Sequence, residues 1–348
     1  MIKTPWVNQK TIDFTKVAKE LEQSFALNQM TNYGPVVKRL EDYFAKEMNV
    51  NQDRAVIVVC NAAIGLHMLV SGINMFYDRN LRYATQSFTF PCAVQGPLQN
   101  AQIVDFDEDL NLDLSQVDED VEGIIVTNLF GNVCDLDKYL NCGKIVLLDN
   151  ATVPFSDFKG VNVNNFGTAT IISLHHTKIF SHSEGGLIIV DKKYENCVRR
   201  CINFGFEVVD GRVLYSKYGS NGKMNEVTAA VILTYLKDNK ERILDHQIKM
   251  YDSFKDKIKD LEGVRLFPNY SSSTPVVSCF ALLFDREIGN DIIYQFELNN
   301  ITTRKYYTPL DDAPISNRTF KHILCLPCNL QVLDNTLDAY VRIISKLL

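Results

Sequence analysis

Short apolar runs alternate with amphipathic stretches along the first half of the chain. Each run is rich in branched residues and is bounded by polar or turn-forming residues, which predicts buried β-strands. The stretches between them have the spacing of amphipathic helices. This order predicts an α/β fold with a mostly parallel central sheet. The predicted strands are 55–60, 103–107, 123–127, 144–149, 168–174 and 187–190.

Two amphipathic helices are predicted ahead of the first strand. After an N-terminal arm, apolar residues from Val17 to Phe25 recur at helical spacing, and those from Val36 to Phe44 do so again. The segment 30–35 between them, Met-Thr-Asn-Tyr-Gly-Pro, has the composition of a turn. Asn61 follows the first strand and is a good N-cap for the next helix.

The pattern changes beyond residue 236. A helix predicted from Val227 to Leu236 gives way to a longer, more charged helical stretch, then to a strand at Val276–Phe284 and a helix at Ile288–Leu298. We therefore predict two domains. Residues 1–236 form the N-terminal arm and a large α/β domain, and residues 237–348 form a smaller C-terminal α+β domain.

Composition excludes several classes of protein. A net charge of −6 over 348 residues, without a basic cluster, argues against a nucleic-acid-binding protein. The nine cysteines lack the dense, even spacing of a secreted disulfide scaffold, which favours free thiols in a reducing cytosol. The N-terminal residues lack a signal-peptide pattern and no apolar run reaches about 18 residues. These features predict a soluble cytoplasmic protein, and no His/Cys spacing predicts a metal site.

Lys178 and Asp149 carry the candidate chemistry. Lys178 lies between two predicted strands, where apolar walls can lower the pKa of its amine and make it a nucleophile. Asp149 ends the strand 144–149, the position at which α/β sheets place ligand-binding residues. A carboxylate there can hold the protonated ring nitrogen of pyridoxal phosphate (PLP) while a lysine binds the cofactor aldehyde. The small residues Ala62 and Ala63 open a helix whose free N–H groups suit a phosphate.

The pattern Ser173-x4-Lys178-x5-Glu184-Gly185-Gly186 resembles the cofactor-lysine signature of the DegT/DnrJ/EryC1/StrS family of PLP-dependent nucleotide-sugar aminotransferases. Further similar blocks extend from about Thr31 to Pro327 and include Asn-Phe-Gly-Phe at 203–206 and Asn-Gly-Lys-Met at 221–224. The resemblance implies fold type I of the PLP-dependent transferases, which is similar to aspartate aminotransferase. It also implies a homodimer with shared active sites.

The resemblance assigns roles to individual residues. Lys178 carries the cofactor, Asp149 holds its ring nitrogen, and Phe90 stacks on its ring. Asn221 reaches the phosphate in the neighbouring subunit. The cofactor-binding residues implied are Ala62, Ala63, Phe90, Asp149, Thr152, Ser173, Lys178 and Asn221. The substrate-binding residues implied are Thr31, Asn32, Lys223, Tyr306, Tyr307 and Asp311.

The blocks are most similar to those of viosamine-type members, which aminate C4 of a 4-keto-6-deoxy-glucose linked to UDP or dTDP, with glutamate as the usual amino donor. Because Lys178 is present where related 3-dehydratases have histidine, amino transfer is favoured over dehydration. Four positions depart from the family pattern: Ala63, Asn128, Thr152 and Asp311. A 3-aminotransferase, a PLP-binding sensor without turnover, and a nucleotide-binding protein without PLP stay open as alternatives.

Overall fold

The computed structural model of the protein describes residues 4–348. Its helices are α1 (Phe14–Ala26), α2 (Pro35–Glu47), α3 (Ala62–Phe76), α4 (Asp137–Leu140), α5 (Lys192–Ile202), α6 (Glu226–Ile258), α7 (Asn290–Leu298), α8 (Pro314–His322) and α9 (Asp334–Leu347). Its strands are β1 (Arg54–Val59), β2 (Tyr83–Gln86), β3 (Gln102–Val104), β4 (Gly123–Thr127), β5 (Ile145–Asp149), β6 (Asp157–Phe158), β7 (Val161–Asn162), β8 (Ala169–Ser173), β9 (Gly186–Asp191), β10 (Glu207–Val209), β11 (Arg212–Leu214), β12 (Val264–Leu266), β13 (Cys279–Phe284) and β14 (Ile323–Pro327). Each strand predicted above overlaps one of these.

Seven of the described strands form the central sheet, in the order β1-β9-β8-β5-β4-β2-β3. Neighbours are parallel except that β9 runs antiparallel to both β1 and β8. The predicted mostly parallel sheet is thus confirmed. Asp149, at the end of β5, pairs with Thr127 of β4 on one side and with Ile171 of β8 on the other. The carboxyl ends of these three strands therefore meet at one edge, where open α/β sheets bind ligands.

Helices cover both faces of the sheet, which explains why its strands are continuous apolar runs rather than alternating ones. On one face, Val58 of β1 belongs to a core that includes Leu40 of α2 and Leu233 of α6. On the other face, the adjacent Ile57 belongs to a core that includes Leu69 of α3. Successive strand residues point to opposite faces, so every position along β1 is buried.

Helix α6 runs for 33 residues without a break and passes from the large domain into the small one. The sequence pattern divided this stretch at Leu236, but no proline or glycine interrupts it, and the change in pattern reflects a change of neighbours. As far as Ile243 the helix contributes to the core beneath the sheet, and from Met250 onward it packs in the core of the small domain. The division into residues 1–236 and 237–348 stays a prediction.

The small domain packs helices against the antiparallel sheet β12-β13-β14. Phe254 of α6, Phe280 of β13 and Tyr340 of α9 are fully buried in its core and contact one another edge-on or at a tilt. This arrangement matches the predicted α+β unit. Within residues 4–348 no helix is both long and apolar enough to span a bilayer.

Glu226, the first residue of α6, connects two segments that the sequence analysis singled out. Its fully buried carboxylate accepts hydrogen bonds from the N–H groups of Val36 (2.7 Å) and Val37 (3.0 Å) and from the hydroxyl of Ser24 (2.6 Å). A carboxylate at this end of α2 satisfies free N–H groups and complements the helix dipole. Gly34 lies so close that an added Cβ would meet this carboxylate at 2.5 Å. The turn at 30–35 is therefore fixed to the loop 221–226.

Candidate active site

A cavity of about 480 Å³ lies at the carboxyl edge of the sheet, between the large and small domains. The large domain contributes residues at the ends of β4, β5 and β8 and at the start of α3, and the small domain contributes Ser278, Cys279, Tyr306 and Tyr307. Nine of the predicted site residues line it: Ala62, Ala63, Phe90, Asp149, Thr152, Ser173, Lys178, Tyr306 and Tyr307. The structure thus brings together side chains spread over most of the chain.

Lys178 lies in the loop between β8 and β9, half-buried at the cavity wall. Turns fix its backbone: its N–H donates to the carbonyl of His175 (2.8 Å), and its own carbonyl accepts from Ser181 (3.2 Å). Burial lowers the pKa of the Lys178 amine, and the Asp149 carboxylate opposes part of that shift. A lysine with a lowered pKa has a larger neutral fraction, which is the form that attacks an aldehyde.

Asp149 ends β5 with only 4% of its surface exposed. One carboxylate oxygen accepts a hydrogen bond from the N–H of Ala151 (3.0 Å). Burial raises the pKa of Asp149, whereas the Ala151 N–H and the Lys178 amine both act to lower it. Each side chain therefore lies within electrostatic range of the other. Burying an ionised carboxylate that accepts few hydrogen bonds costs folding free energy unless a cation lies next to it. A protonated ring nitrogen would supply that cation.

The phosphate-binding end of the predicted site lies where α3 and β9 meet. Asn61 caps α3 by accepting from the N–H of Ile64 (2.9 Å), so the N–H groups of Ala62 and Ala63 begin the helix at the cavity. An added Cβ on Gly186 would lie 2.7 Å from the backbone nitrogen of Ala62. This close approach explains the glycine and brings Ser173, which pairs with Gly186, to the same corner.

Aromatic rings also line the cavity. The ring of Phe90, 55% exposed, meets Tyr307 edge-on at 6.4 Å, and Tyr306 stacks on Tyr307 at 5.2 Å. Burial raises the pKa of the Tyr307 hydroxyl well above its usual value, so this group is neutral at the cavity. Phe90 is exposed rather than packed in the core, and its position at the cavity suits the predicted stacking on a ligand ring.

Two of the four departures from the family pattern, Thr152 and Asn128, have distinct structural consequences. Thr152 has a buried hydroxyl oxygen that lacks a hydrogen-bond partner among the described residues, and the residue borders the cavity. A buried hydroxyl of this kind normally forms a hydrogen bond with a ligand or with water. Asn128 also borders the cavity, but its amide nitrogen donates to the side-chain oxygen of Asn150 (2.7 Å) and its oxygen accepts from the N–H of Cys134 (2.9 Å). Asn128 therefore stabilises the loop after β4 by hydrogen-bonding to Asn150 and Cys134.

Five predicted site residues lie outside this cavity: Thr31, Asn32, Asn221, Lys223 and Asp311. Thr31, Asn32 and Asn221 are exposed. Lys223 donates to the side-chain oxygen of Asn203 (2.7 Å) and lies 4.4 Å from the centre of the Phe204 ring. Their predicted contacts with cofactor or substrate stay predictions, and within one chain they do not join the Lys178 group.

The carboxylate of Asp311 accepts hydrogen bonds from two other residues of this chain. One of its carboxylate oxygens accepts from the hydroxyl of Ser87 (2.5 Å) and from the N–H of Ala313 (3.2 Å). The N–H of Leu310 also donates to the carbonyl of Ser87 (2.9 Å). Asp311 therefore joins the loop before α8 to the segment that follows β2, close to the cavity wall. Whether it also contacts substrate stays a prediction.

Sequence reasoning missed several residues that line the cavity. Trp6 reaches it from the N-terminal arm and meets Tyr306 edge-on at 5.7 Å. Cys279 begins β13 and enters from the small domain. Neither has a local sequence signal, because each is brought to the site only by the docking of the arm and the small domain. The single tryptophan of the chain, so near the start, was the one available hint.

Cys325 and Cys328 are spaced as a C-x-x-C pair at the end of β14. Both are free and buried, and burial raises the pKa of each thiol well above its usual value. Thiols of this kind are inert core residues rather than redox or metal-binding groups. In the described part of the chain, no cluster of three or more His, Cys, Asp or Glu residues is arranged to hold a metal ion.

These features fit PLP on structural grounds: a lysine and a carboxylate that line one cavity, a helix start closely approached by Gly186, and the unpartnered hydroxyl of Thr152. The sheet topology and this lysine–acid pair define a PLP-dependent enzyme of fold type I. The chain belongs to the DegT/DnrJ/EryC1/StrS aminotransferase family, whose model matches residues 12–338. It is therefore a PLP-dependent aminotransferase, which removes the alternative of a nucleotide-binding protein without PLP.

Individual relatives agree with this assignment. The chain is 25% identical to the dTDP-4-amino-4,6-dideoxy-D-glucose transaminase of Escherichia coli, over 92% of this chain and 94% of the relative. The structure of DesI with its TDP-sugar product matches with a TM-score of 0.84 at 20% identity, covering 98% of this chain and 92% of that one. The PLP form of a Streptococcus pneumoniae protein matches with a TM-score of 0.83 at 15% identity, covering 100% and 99%. At these identities the two structures show the fold alone.

Proposed function

We propose that this enzyme transfers an amino group to C4 of a 4-keto-6-deoxy-D-glucose linked to UDP or dTDP, with glutamate as the donor. The product is the 4-amino-4,6-dideoxy sugar nucleotide of the viosamine type. The observation that carries the proposal is the placement of Lys178 beside Asp149 in one cavity. Support for the substrate comes from relatives in Escherichia coli and Shigella dysenteriae, both named dTDP-4-amino-4,6-dideoxy-D-glucose transaminase.

The chemistry divides among a few side chains. When bound, PLP supplies an aldehyde that condenses with amines and a pyridinium ring that accepts charge from the adjacent carbon. The amine of Lys178 holds the cofactor at rest and, once displaced by the donor, moves a proton to and from the carbon that carries the amino group. The carboxylate of Asp149 keeps a proton on the ring nitrogen. The low-dielectric surroundings strengthen this charge pairing.

The aromatic wall suits the sugar. Trp6, Phe90, Tyr306 and Tyr307 line the cavity with aromatic surface, against which the C–H groups and the methyl group of a 6-deoxy sugar can pack. Arg304 lies at this wall, with its guanidinium 5.4 Å from the Trp6 ring and 5.8 Å from the Tyr306 ring. An exposed guanidinium there supplies positive charge for the diphosphate of a nucleotide sugar.

A direct assay decides the substrate. The enzyme is incubated with glutamate and, in separate reactions, with the 4-keto-6-deoxy and 3-keto-6-deoxy sugars linked to UDP and to dTDP, and the products are identified by NMR. We expect an amino group at C4, and the epimer follows from the coupling constants. Amination at C3 alone, or no amination of any of these sugars in the presence of PLP, would contradict the proposal.

We further propose that the enzyme is a homodimer in which each subunit completes the other's site. The proposal rests on the predicted site residues that are exposed in a single chain, Thr31, Asn32 and Asn221. The hairpin β10-β11, which precedes Asn221 in the chain, also exposes apolar side chains, with Val208 69% and Val213 52% exposed. Exposed apolar surface of this kind is typical of a protein interface. A second copy of the chain would bury the hairpin and bring Asn221 to the partner's cavity.

Mixing two inactive variants tests the shared site. Lys178→Ala and Asn221→Ala are each expected to be inactive, because each removes one half of a composite site. After the two are unfolded and refolded together, mixed dimers contain one site with both Lys178 and Asn221 intact. Activity should return to about a quarter of the wild-type value, since about half of the dimers are mixed and each has one working site. A mixture that stays inactive while gel filtration shows mixed dimers would contradict shared sites.

A further inference from the structure

Lys10 makes an unusual set of hydrogen bonds to the loop that carries Lys178. Its amine donates to three backbone carbonyls, those of His176, Lys178 and Ser181, each at 2.6 Å. An ammonium group has three N–H donors, and all three are used on this one loop. One of the three acceptors is the carbonyl of Lys178 itself. The cation therefore links three points of one loop, in addition to the turns that bond Lys178 to His175 and Ser181.

The surroundings of Lys10 show that this contact is not an ordinary ion pair. Among the described residues no carboxylate forms a salt bridge with it, and aromatic rings lie close to it. The Tyr235 ring centre lies 5.6 Å from the amine, and His182 contacts the Lys10 carbonyl with Nε2 at 3.4 Å. Burial lowers the pKa of the Lys10 amine to about 7. The groups that hydrogen-bond to this amine are the three carbonyl oxygens, whose dipoles favour its charged form.

The arm that delivers Lys10 is fixed at its other end to the small domain. The N–H of Thr4 donates to the carbonyl of Asn300 (2.9 Å), and the N–H of Thr302 donates to the carbonyl of Thr4 (3.0 Å). The side-chain amide of Asn329 donates to the carbonyl of Pro5 (2.7 Å). Residues 4–10 therefore run from the small domain, past Trp6 at the cavity, to the loop of Lys178.

We propose that Lys10 is a positioning residue, whose ammonium orders the loop 175–183 and so fixes the backbone from which Lys178 reaches the cofactor. The inference deepens the proposed function, because it gives the N-terminal arm a role in setting the geometry of Lys178. Lys10 does not touch the reacting atoms. Its effect is exerted through the three carbonyls, and it should be visible in the loop whether or not the enzyme turns over.

The test compares Lys10→Met and Lys10→Arg with a matched control, Lys16→Met, which removes a nearby exposed lysine paired with Asp238. Hydrogen exchange of the amides at 175–183 is measured on the PLP-loaded and the PLP-free protein, together with the rate of PLP release. In Lys10→Met we expect exchange of this loop and PLP release each to rise at least about tenfold, since hydrogen bonds to a charged group are lost. Exchange in β5 and α3 should stay unchanged.

Lys10→Arg keeps the positive charge and the donors and should restore most of the protection, whereas Lys16→Met should behave as the wild type. Unchanged loop exchange in Lys10→Met, an equal rise throughout the protein, or an arginine variant no better than methionine would overturn the proposal. If Lys10→Met does not fold, Lys10→Gln replaces it, because glutamine keeps an N–H donor but has no charge. Loop exchange and PLP release of Lys10→Gln are then judged by the same outcomes. Loss of protection in the PLP-free protein is independent of catalysis, so a failed amino-transfer assay would leave this inference intact.

Discussion

Replacing Lys178 by alanine should remove both the visible absorbance of the bound cofactor and the amino-transfer activity. The amine is the only group proposed both to hold PLP and to move the proton, so its loss combines two effects. We expect the rate to fall by at least about a thousandfold, since positioned proton transfer alone contributes about 10²–10⁴-fold. The measurements are an absorbance spectrum of the purified protein and the initial rate with glutamate and the keto sugar nucleotide.

The matched control for this variant is Lys38→Ala, which truncates an exposed lysine on α2. Its spectrum and rate should equal those of the wild type. Circular dichroism of Lys178→Ala should also be unchanged, because the side chain lies at a cavity wall and is not packed in the core. A Lys178→Ala protein that stays yellow and keeps its rate within about tenfold of the wild type would contradict the assigned role.

Replacing Asp149 by asparagine should separate activity from stability. Asparagine preserves the shape and the hydrogen bond from Ala151 but cannot hold a proton on the cofactor's ring nitrogen. We expect turnover to fall by at least about a hundredfold, as for the loss of one preorganised electrostatic partner. The PLP-free protein should become more stable at pH 7, because the buried charge is removed.

The sign of that stability change follows from the pKa of Asp149. Burial raises this pKa, so the ionised carboxylate costs stability above it, and lowering the pH through it removes the cost by protonation. The difference in melting temperature between Asp149→Asn and the wild type should therefore shrink as the pH falls into the acidic range. Asp42→Asn, at an exposed position on α2, should shift neither rate nor melting temperature. A destabilised, fully active Asp149→Asn would refute the assignment.

The elements that the sequence predicted well are those whose structure follows from the residue pattern of the element itself. The runs that became β1, β4, β5, β8 and β9 are apolar along most of their length, and burial on both sheet faces favours that pattern. The placement of Lys178 and Asp149 in one cavity was also predictable, because the ends of parallel strands meet at one edge. Both inferences depend on periodicity and on general rules of sheet topology.

The features that could not be predicted depend on contacts between distant segments. Glu226 caps α2 from 190 positions further along the chain, and Lys10 donates to the carbonyl of Lys178, 168 positions away. A lone glutamate or lysine has no sequence pattern that names such a partner. The sequence pattern also did not predict that α6 is one continuous helix. A helix that contributes to two cores changes its apolar face where its neighbours change, and the pattern of apolar residues then resembles two separate helices.

The departures from the family pattern show the same limit. The sequence identified Asn128 and Thr152 as unusual, but only the structure separates them. Asn128 uses both ends of its amide within the protein, whereas the hydroxyl of Thr152 is buried at the cavity without a partner among residues 4–348. Asn128 therefore has a structural role, which is to hydrogen-bond to Asn150 and Cys134. The hydroxyl of Thr152 is available to the cofactor.

The most direct test of the central claim is to locate the cofactor on the chain. Reduction of the yellow protein with borohydride fixes PLP to the lysine that binds it, and mass spectrometry of the digested protein identifies the peptide. We predict that the label lies on Lys178 alone. A label on another lysine, such as Lys10 with its pKa lowered to about 7, or no label on a PLP-loaded protein, would contradict the account.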